Sequence, residues 1–534
     1  MNTTERTTYE VLVIGGGHNG LATACYLAAE GMDVAVIEAA DQIGGMTASG
    51  TPISKAPAHV INYCAADLLF WQTSPVEREL ELSKYGLKKI TMDPSYVYLH
   101  PDGASIAVWN DPRRTADEIR RFSKADAAAY LEYARFLDAL FDIAYPYMLT
   151  NPGRPDPRTL MTIAKGALRH RRLLRRFGEF LLASGEETID QRFVHPVTQS
   201  LLYCLGAGAN PINLNGTSVT HLFLAFLHRG GTARPVGGMQ AIPNALAKRF
   251  THLGGTILTN SRVSEIVVSG GRAAGVRLAD GRVFSARKSV VATSDPRTTL
   301  GTLLPAGTLS HELDVRVRHI PANSSGAGAM KADLALSGRV TLERHERWRG
   351  DGLDLRKPAV LVGTSDQIRR GWARAAAGIV PDPDDVALWP VLVNAADPSQ
   401  SPEGQDSLYL FATNMPLHPE GGWAQWEDKA ANTIVERAAQ FYDGIAELEI
   451  GRWVETPELA AQRTGATNGT AMHVDHLLFS QGPLRPALGL GGTKLPVKGL
   501  VLGGAGIHPG GGVSGIPGRR AARTVLRQNG IRSL

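Results

Sequence analysis

The chain has 534 residues, 43% of them hydrophobic and 20% charged, with a formal net charge of +5. That length exceeds what one hydrophobic core usually supports, so two interleaved domains are expected, and a charge this mild speaks against a nucleic-acid partner. Three scattered cysteines (Cys25, Cys64, Cys204) form no CxxC or Cys/His cluster, which argues against a metal site or a disulfide framework and for a reducing cytoplasm.

The opening residues are polar and show no signal-peptide pattern, and no apolar run reaches the ~18 residues of a spanning helix. YEVLVI (9–14) predicts a buried parallel strand, LATACYLAAEG a small-residue helix closed by Gly31, and DVAVIEA (33–39) a second buried strand. From 63 to 235 the texture becomes helical, as in 125–145, with a Pro-rich connection at 150–158. KGALRHRRLLRR (165–176) reads as one basic helix, either a solvated face or a peripheral membrane contact drawn to anionic lipid. The βα texture returns at 235–296 with a helix and the strands TILTN, VSEIVVS, AAGVRLA and SVVAT. Residues 320–490 mix strands (PAVLVG, VALWPVLVNA, SLYLFATN) with the helix AQWEDKAANTIVERAAQFYDGI, and GLVLGGAG (499–506) is a last strand before a terminal helix.

Gly15, Gly17 and Gly20 form G-x-G-x-x-G between a strand and a helix. The first glycine permits the tight turn, the second lets backbone N–H groups approach a pyrophosphate, and the third lets helix and strand pack closely. Glu38 follows at the end of the second strand, placed to accept hydrogen bonds from a ribose diol. NAD and FAD share this fingerprint. DQIGGM (41–46) and the late loop HPGGGVSGIPG (508–518) favour FAD, bound non-covalently, because a long flavin dinucleotide needs wrapping by distant segments.

GGGHNGLATACYLAAEGMDVAVIEAADQIGG, PVGGMQAIPNALAKRFTHLGGTILTNSRVSEIVV, ATSDP and GLVLGGAGIHPGGGVSGIPGRRAA occur in this order. Together they resemble the phytoene-desaturase-type flavoproteins, a branch of the flavin amine oxidase superfamily, with the flavour of its carotene-ketolase and retinol-saturase-like subgroup. The resemblance implies that Gly15, Gly17, Asn19 and Gly20 contact the pyrophosphate and Glu38 the adenosine ribose. Gly44, Gly45 and Met46 would pass along the ribityl side and Val263 would pair with the adenine edge. Gly504 would belong to the cofactor loop, and Gly512, Val513, Ser514 and Gly515 would cover the ribityl and pyrimidine end. Ala40 stands where an arginine often follows the ribose acid, and Met46 where amine oxidases commonly carry an arginine.

The expected fold is α/β: a discontinuous Rossmann-type, glutathione-reductase-like FAD-binding domain (1–62, 236–300 and 490–534) with a mixed sheet-plus-helix substrate domain (63–235 and 301–489). The expected activity is hydride removal from a substrate C–H to flavin N5, on an apolar isoprenoid-like or cyclic metabolite, with oxygen or a quinone-like acceptor taking the electrons. Alternatives are a flavin-dependent isomerase or saturase of a polyene, and a non-catalytic flavoprotein partner. Candidate catalytic residues are His508, beside the late glycine loop, His59 in PAHVINY, and Lys331 in GAGAMKADLAL. Asn62, Tyr63 and Tyr203 are weaker candidates, and no metal ligand is expected.

Overall fold

In the first sheet, strand Thr8–Ile14 lies between Val34–Ile37 and Val283–Ala292, with Leu12 opposite both Ala35 and Val290. Thr256–Leu258 adds beyond Val34–Ile37, and Leu500–Leu502 pairs with Val290–Ala292, so five strands run parallel. All four residues of Val34–Ile37 are buried, as expected for a strand covered on both faces. On the edge away from Thr8–Ile14, the ten-residue strand Val283–Ala292 serves two further neighbours: its first third pairs antiparallel with Arg272–Leu278, and its last third takes Leu500–Leu502. Val263–Ser269 completes the antiparallel edge. The computed structural model describes residues 6–208, 210–491 and 495–531; residues 1–5, 209, 492–494 and 532–534 of the expected domain segments lie outside the described residues.

Helices His18–Ala29 and Ile516–Gln528 pack against each other on this sheet. Their closeness has a steric cause, since a Cβ on Gly518 would stand 2.1 Å from the Asn19 carbonyl oxygen. Thr23 Oγ1 donates across the gap to the Gly518 carbonyl at 3.0 Å.

The second sheet has the order Glu449–Glu455, Ala327–Leu336, Asp406–Pro416, Leu388–Leu392, Ala359–Val362, Tyr96–Leu99, Ser105–Val108. Helix Trp423–Ala439 packs on one face. An aromatic-rich core formed with helix Lys124–Met148 and helices Pro196–Gly206 and Leu222–Gly230 covers the other.

Two expectations need correction. The stretch 63–235 is not wholly helical: Tyr96–Leu99 pairs parallel with Ala359–Val362, and Lys89–Met92 pairs with Thr232–Pro235. These four-residue strands are too short to show a period against long neighbouring helices. The stretch 165–176 is not one helix either. Helix Pro157–Arg169 ends at His170, a 3₁₀ turn covers Arg171–Leu173, and a second helix spans Leu174–Leu182. The new helix turns Phe177 and Phe180 into the aromatic core, an orientation the first helix axis does not supply.

Candidate active site

The parallel strands end together, and their carboxyl edge gathers three glycine segments. Gly15 N–H donates to the Ile37 carbonyl at 2.8 Å and Gly503 N–H to the Ala292 carbonyl at 2.8 Å. Thr293 Oγ1 ties the Ile14 carbonyl at 2.9 Å. This edge is where open α/β sheets bind ligands.

The turn after the first strand needs its glycines for different reasons. Gly15 has φ +100°, closed to most side chains. A Cβ on Gly20 would lie 2.0 Å from the Gly15 carbonyl oxygen. Gly17 is different: its φ is −70°, and the nearest atom to a Cβ placed on it would be the Gly44 carbonyl oxygen, 3.9 Å away. No protein atom requires glycine at position 17, so the space belongs to something else. Gly17 begins helix His18–Ala29 with no side-chain cap and no acid in the first turn, which leaves N–H donors and positive dipole facing that space. Beside it, His18 Nε2 and Asn19 Oδ1 are buried without a hydrogen-bond partner among the described residues. Burial lowers the His18 pKa to about 4, so the ring is neutral. Glu38 Oε2 accepts from Gly16 N–H at 2.6 Å and Oε1 from Ala40 N–H at 2.9 Å, leaving lone pairs on both oxygens for a diol. Ser261 N–H donates to the Glu38 carbonyl at 2.8 Å, which brings the strand beginning at Val263 to the same side. An uncapped helix start, an open glycine and a carboxylate fit an adenine dinucleotide.

Gly44 and Gly45 continue the cradle. Gly44 N–H donates to the Gly16 carbonyl at 3.0 Å, and a Cβ on Gly45 would lie 3.5 Å from Gly17 Cα. Met46 then leaves the cradle and enters the wall of a cavity of ≈ 620 Å³, counted with its open mouth. Its apolar lining includes Ala329, Phe411, Ala460 and Met472; its charged groups are Lys331, Glu455 and Arg463.

Lys331 is buried and reaches this cavity from strand Ala327–Leu336. Nζ stands 2.8 Å from Asp333 Oδ2, donates to the Asn62 carbonyl, and lies 3.8 Å from the centre of the Tyr409 ring. Burial lowers the lysine pKa and raises that of Asp333 to about 6, each opposed by the partner's charge. Arg463 Nη2 donates to Glu455 Oε2 at 2.9 Å and Nη1 to the Gly45 carbonyl at 3.4 Å. The one carboxylate lining the cavity, Glu455, and the buried Asp333 behind Lys331 are therefore each matched by a cation.

The late loop closes over the cradle. Ser514 O accepts from Ser74 Oγ at 2.6 Å, Val513 is packed in the core of the first sheet, and Gly515 begins the last helix with no side-chain cap. A Cβ on Gly512 would strike Phe70 at 2.5 Å. Gly504 is fixed by packing, since a Cβ there would lie 2.2 Å from the Thr293 carbonyl oxygen. His508 Nε2 is 3.0 Å from the Tyr147 carbonyl, its ring packs 5.0 Å from the Tyr147 ring, and burial holds its pKa down to about 3.

The structure thus unites Met46 and Lys331 at the cavity and the glycines at the cradle. His59 is elsewhere: it is buried toward the backbone of Ala56 and Leu336, and Leu336 is five residues, or roughly 17 Å of extended strand, beyond Lys331. Tyr63 lines the cavity, Asn62 supplies its carbonyl to Lys331, and Tyr203 OH instead meets Arg369 at 2.6 Å.

Sequence reasoning missed Asp333, Glu455 and Arg463, and two buried arginines that brace the late loop. Arg520 Nη1 donates to the His508 carbonyl at 2.7 Å, and Arg485 Nη2 donates to the Met472, Val474 and Ala505 carbonyls at 2.9, 2.9 and 3.0 Å. Only Asp333 left a signal, as a second charge at i+2 on an otherwise apolar strand. Among the described residues no cluster of His, Cys, Asp and Glu is able to hold a metal ion, and no helix is long and apolar enough to cross a membrane.

A family profile described as flavin containing amine oxidoreductase matches residues 20–350. The chain belongs to this family. It is an FAD-dependent oxidoreductase, and the cradle described above suits that cofactor. Among curated relatives, the mouse pyridine nucleotide-disulfide oxidoreductase domain-containing protein 2 is 27% identical, covering 97% of this chain and 93% of its own. A limonene dehydrogenase component from Castellaniella defragrans is 24% identical over 98% of this chain and 95% of its own. The lycopene-forming phytoene desaturase of Pseudescherichia vulneris is 26% identical over 97% and 98% respectively. The expected phytoene-desaturase-like character thus holds for this member of the flavin family. Cyclohexylamine oxidase from Brevibacterium oxydans superposes with a TM-score of 0.58 at 14% identity, covering 98% of this chain and 99% of its own, and shares the two-part fold.

Proposed function

We propose that this flavoenzyme dehydrogenates an uncharged, apolar substrate of isoprenoid-like or cyclic carbon skeleton, introducing a carbon–carbon double bond. The observation that carries the reading is the pairing of the charges that line the cavity: Glu455 with Arg463, and Lys331 with Asp333 buried behind it. The cavity's one carboxylate is not free to pair with an ammonium substrate, and Met46, Ala329, Phe411, Ala460 and Met472 in its wall suit hydrocarbon. Relatives named for limonene and phytoene support the same class.

When bound, FAD would supply the acceptor for a hydride leaving one substrate carbon, while the adjacent carbon would give up its hydrogen as a proton to water at the open mouth of the cavity. The chain's residues hold the cofactor at Gly17, Glu38 and Gly45, place Lys331 at the cavity wall, and exclude water from the buried pair behind it. The electrons pass on to oxygen or a quinone-like acceptor, in keeping with the absence of a redox cysteine pair in the sequence.

Anaerobic bleaching of the oxidised flavin absorbance tests the proposal against terpenes, longer polyenes and primary amines. Reduction by an isoprenoid with formation of a product two hydrogens lighter is expected. Reduction by amines alone would overturn it.

A further inference from the structure

Lys331, Phe411 and Trp389 stand in one row across three neighbouring strands of the second sheet. Lys331 pairs in register with Phe411, and Phe411 with Trp389. Residues directly opposite on antiparallel strands share a face, so all three side chains rise on the cavity side of the sheet. Neighbouring strands lie ~4.8 Å apart, which puts the Trp389 backbone about 10 Å from that of Lys331.

Lys331 and Phe411 line the cavity, and Trp389 stands directly behind that lining. Its indole is held against Gly208, another lining residue: a Cβ on Gly208 would lie 2.7 Å from Trp389 Cζ2 and 2.9 Å from Cη2. Glycine at 208 therefore leaves the benzo edge of the indole room to close the cavity. The ring is backed by two more, Tyr96 at 6.0 Å and Phe223 at 6.5 Å between centroids.

The other end of the cavity adjoins the cofactor cradle. Met46 follows Gly45 of the cradle, and a Cβ on Gly511 of the late loop would lie 2.5 Å from Met472 Sδ. The two methionines thus form the cofactor side of the cavity, and the side of Phe411 and Gly208 is left to substrate.

On the hydrocarbon reading above, which this size limit presupposes, we propose that Trp389 sets the length of substrate that the enzyme accepts. Its indole is the end wall of the substrate side. The site then takes a compact skeleton of about two isoprene units, open or ring-closed, and excludes long polyenes. A volume of ≈ 620 Å³, open mouth included, is that of a pocket for one drug-sized molecule. A longer chain running along the row from Lys331 would have to displace an indole packed between Gly208, Tyr96 and Phe223. Shortening the side chain at 389 lengthens the cavity toward those two rings.

The test titrates the FAD-loaded full chain with saturated isoprenoids of two, three and four units, presented in cyclodextrin. These probes lack an allylic C–H, so the shift of the flavin absorbance reports binding alone. The parent should bind the two-unit probe at least about tenfold more tightly than the four-unit one, the scale on which a hydrophobic pocket discriminates by size. Trp389→Leu should remove most of that preference by tightening the four-unit probe about tenfold. Trp389→Phe keeps a smaller ring at the same place and should move the limit partway, which serves as the test if the leucine variant does not fold. Equal binding of the short and long probes by the parent would overturn the proposal. So would a folded variant that keeps the parent's preference while its melting temperature falls, because a merely structural indole would do just that. Failure of the parent to bind any of the three probes would overturn the hydrocarbon reading itself, and the size limit with it.

Discussion

Lys331 and Asp333, two residues apart on one strand and both buried, hold Nζ and Oδ2 at 2.8 Å. Burial costs each charge, and the attraction between them offsets part of that cost. Lys331→Met therefore leaves a buried carboxylate uncompensated and should destabilise the fold by about 3–5 kcal/mol near neutral pH. The Asp333 pKa is already pushed up to about 6 with the lysine present, and removing the lysine raises it further. A carboxyl with a raised folded pKa keeps its proton where the unfolded chain has lost it, so the loss relative to the parent shrinks as pH falls toward 4 and grows above 6. Denaturant unfolding of both proteins at pH 5 and pH 8 reads the difference. Adding Asp333→Leu should recover most of the stability, and no recovery would place the cost in lost packing.

Gly17 and Gly20 belong to one turn but answer to different neighbours. Gly20→Ala drives a methyl to 2.0 Å from the Gly15 carbonyl oxygen, so the turn must shift; stability and FAD binding should fall together. Gly17→Ala meets only the Gly44 carbonyl oxygen at 3.9 Å, so the apoprotein should melt within about 1 kcal/mol of the parent, the scale of a helix-cap change. Its FAD affinity should drop at least tenfold, because the methyl enters the space left for the pyrophosphate; we expect ~1.4 kcal/mol or more of binding lost. Fluorescence titration of the apoproteins with FAD separates the two. Equal affinity for Gly17→Ala would remove the cofactor from this part of the cradle.

The cofactor cradle was legible because its determinants are local. A strand, three glycines, a helix and Glu38 fall within one βαβ stretch, and backbone demands on glycine leave a mark at fixed spacing. The cavity was mostly illegible because its charges meet by tertiary pairing. Arg463 finds Glu455 across a strand-to-helix turn with no period, and Arg485 and Arg520 spend their donors on carbonyls, which any sequence supplies. His59 shows the reverse failure. Its nearness in sequence to the first flavin segment suggested the cavity, but chain direction after Pro57 carries the ring toward Leu336. The strands Tyr96–Leu99 and Ser105–Val108 belong to the second sheet yet have only four residues each, too short for alternation to declare them.

Several buried histidines contribute to the response to acid, His59, His345 and His476 among them. His18, His221 and His508 have pKa values lowered to about 4, 3 and 3, in each case mainly by desolvation. Their unfolded pKa is near 6.5, so between that value and about 4 the unfolded chain binds protons that the folded protein refuses. Their contribution is fully present above pH 6.5 and is lost as pH falls, with a limiting slope of about 1.4 kcal/mol per pH unit for each ring. Unfolding free energies measured at pH 7, 6 and 5 should fall ever more steeply. His221→Gln, which keeps a polar partner for Tyr133 OH, should flatten the curve by one ring's share; an unchanged slope would show that carboxylates dominate.

His508 is placed to brace the loop rather than to move protons. Its Nε2 faces the Tyr147 carbonyl at 3.0 Å, and since a carbonyl only accepts, the proton sits on Nε2 and the lone pair on buried Nδ1. A ring whose pKa is held to about 3 is a weak base at neutral pH, and it spends its single N–H on the end of helix Lys124–Met148. His508→Ala should cost about 1–3 kcal/mol through the orphaned carbonyl and the emptied ring site, and should weaken FAD retention because the loop through Gly515 loses its tie. The pH profile of flavin reduction, measured by stopped flow with saturating substrate, should keep its shape from pH 5 to pH 8 even if its height falls. A profile that loses one limb in the variant would instead make His508 the acid or base of the reaction. His508→Asn separates the two roles further, since its amide still donates toward Tyr147 and should restore retention without supplying any group that titrates.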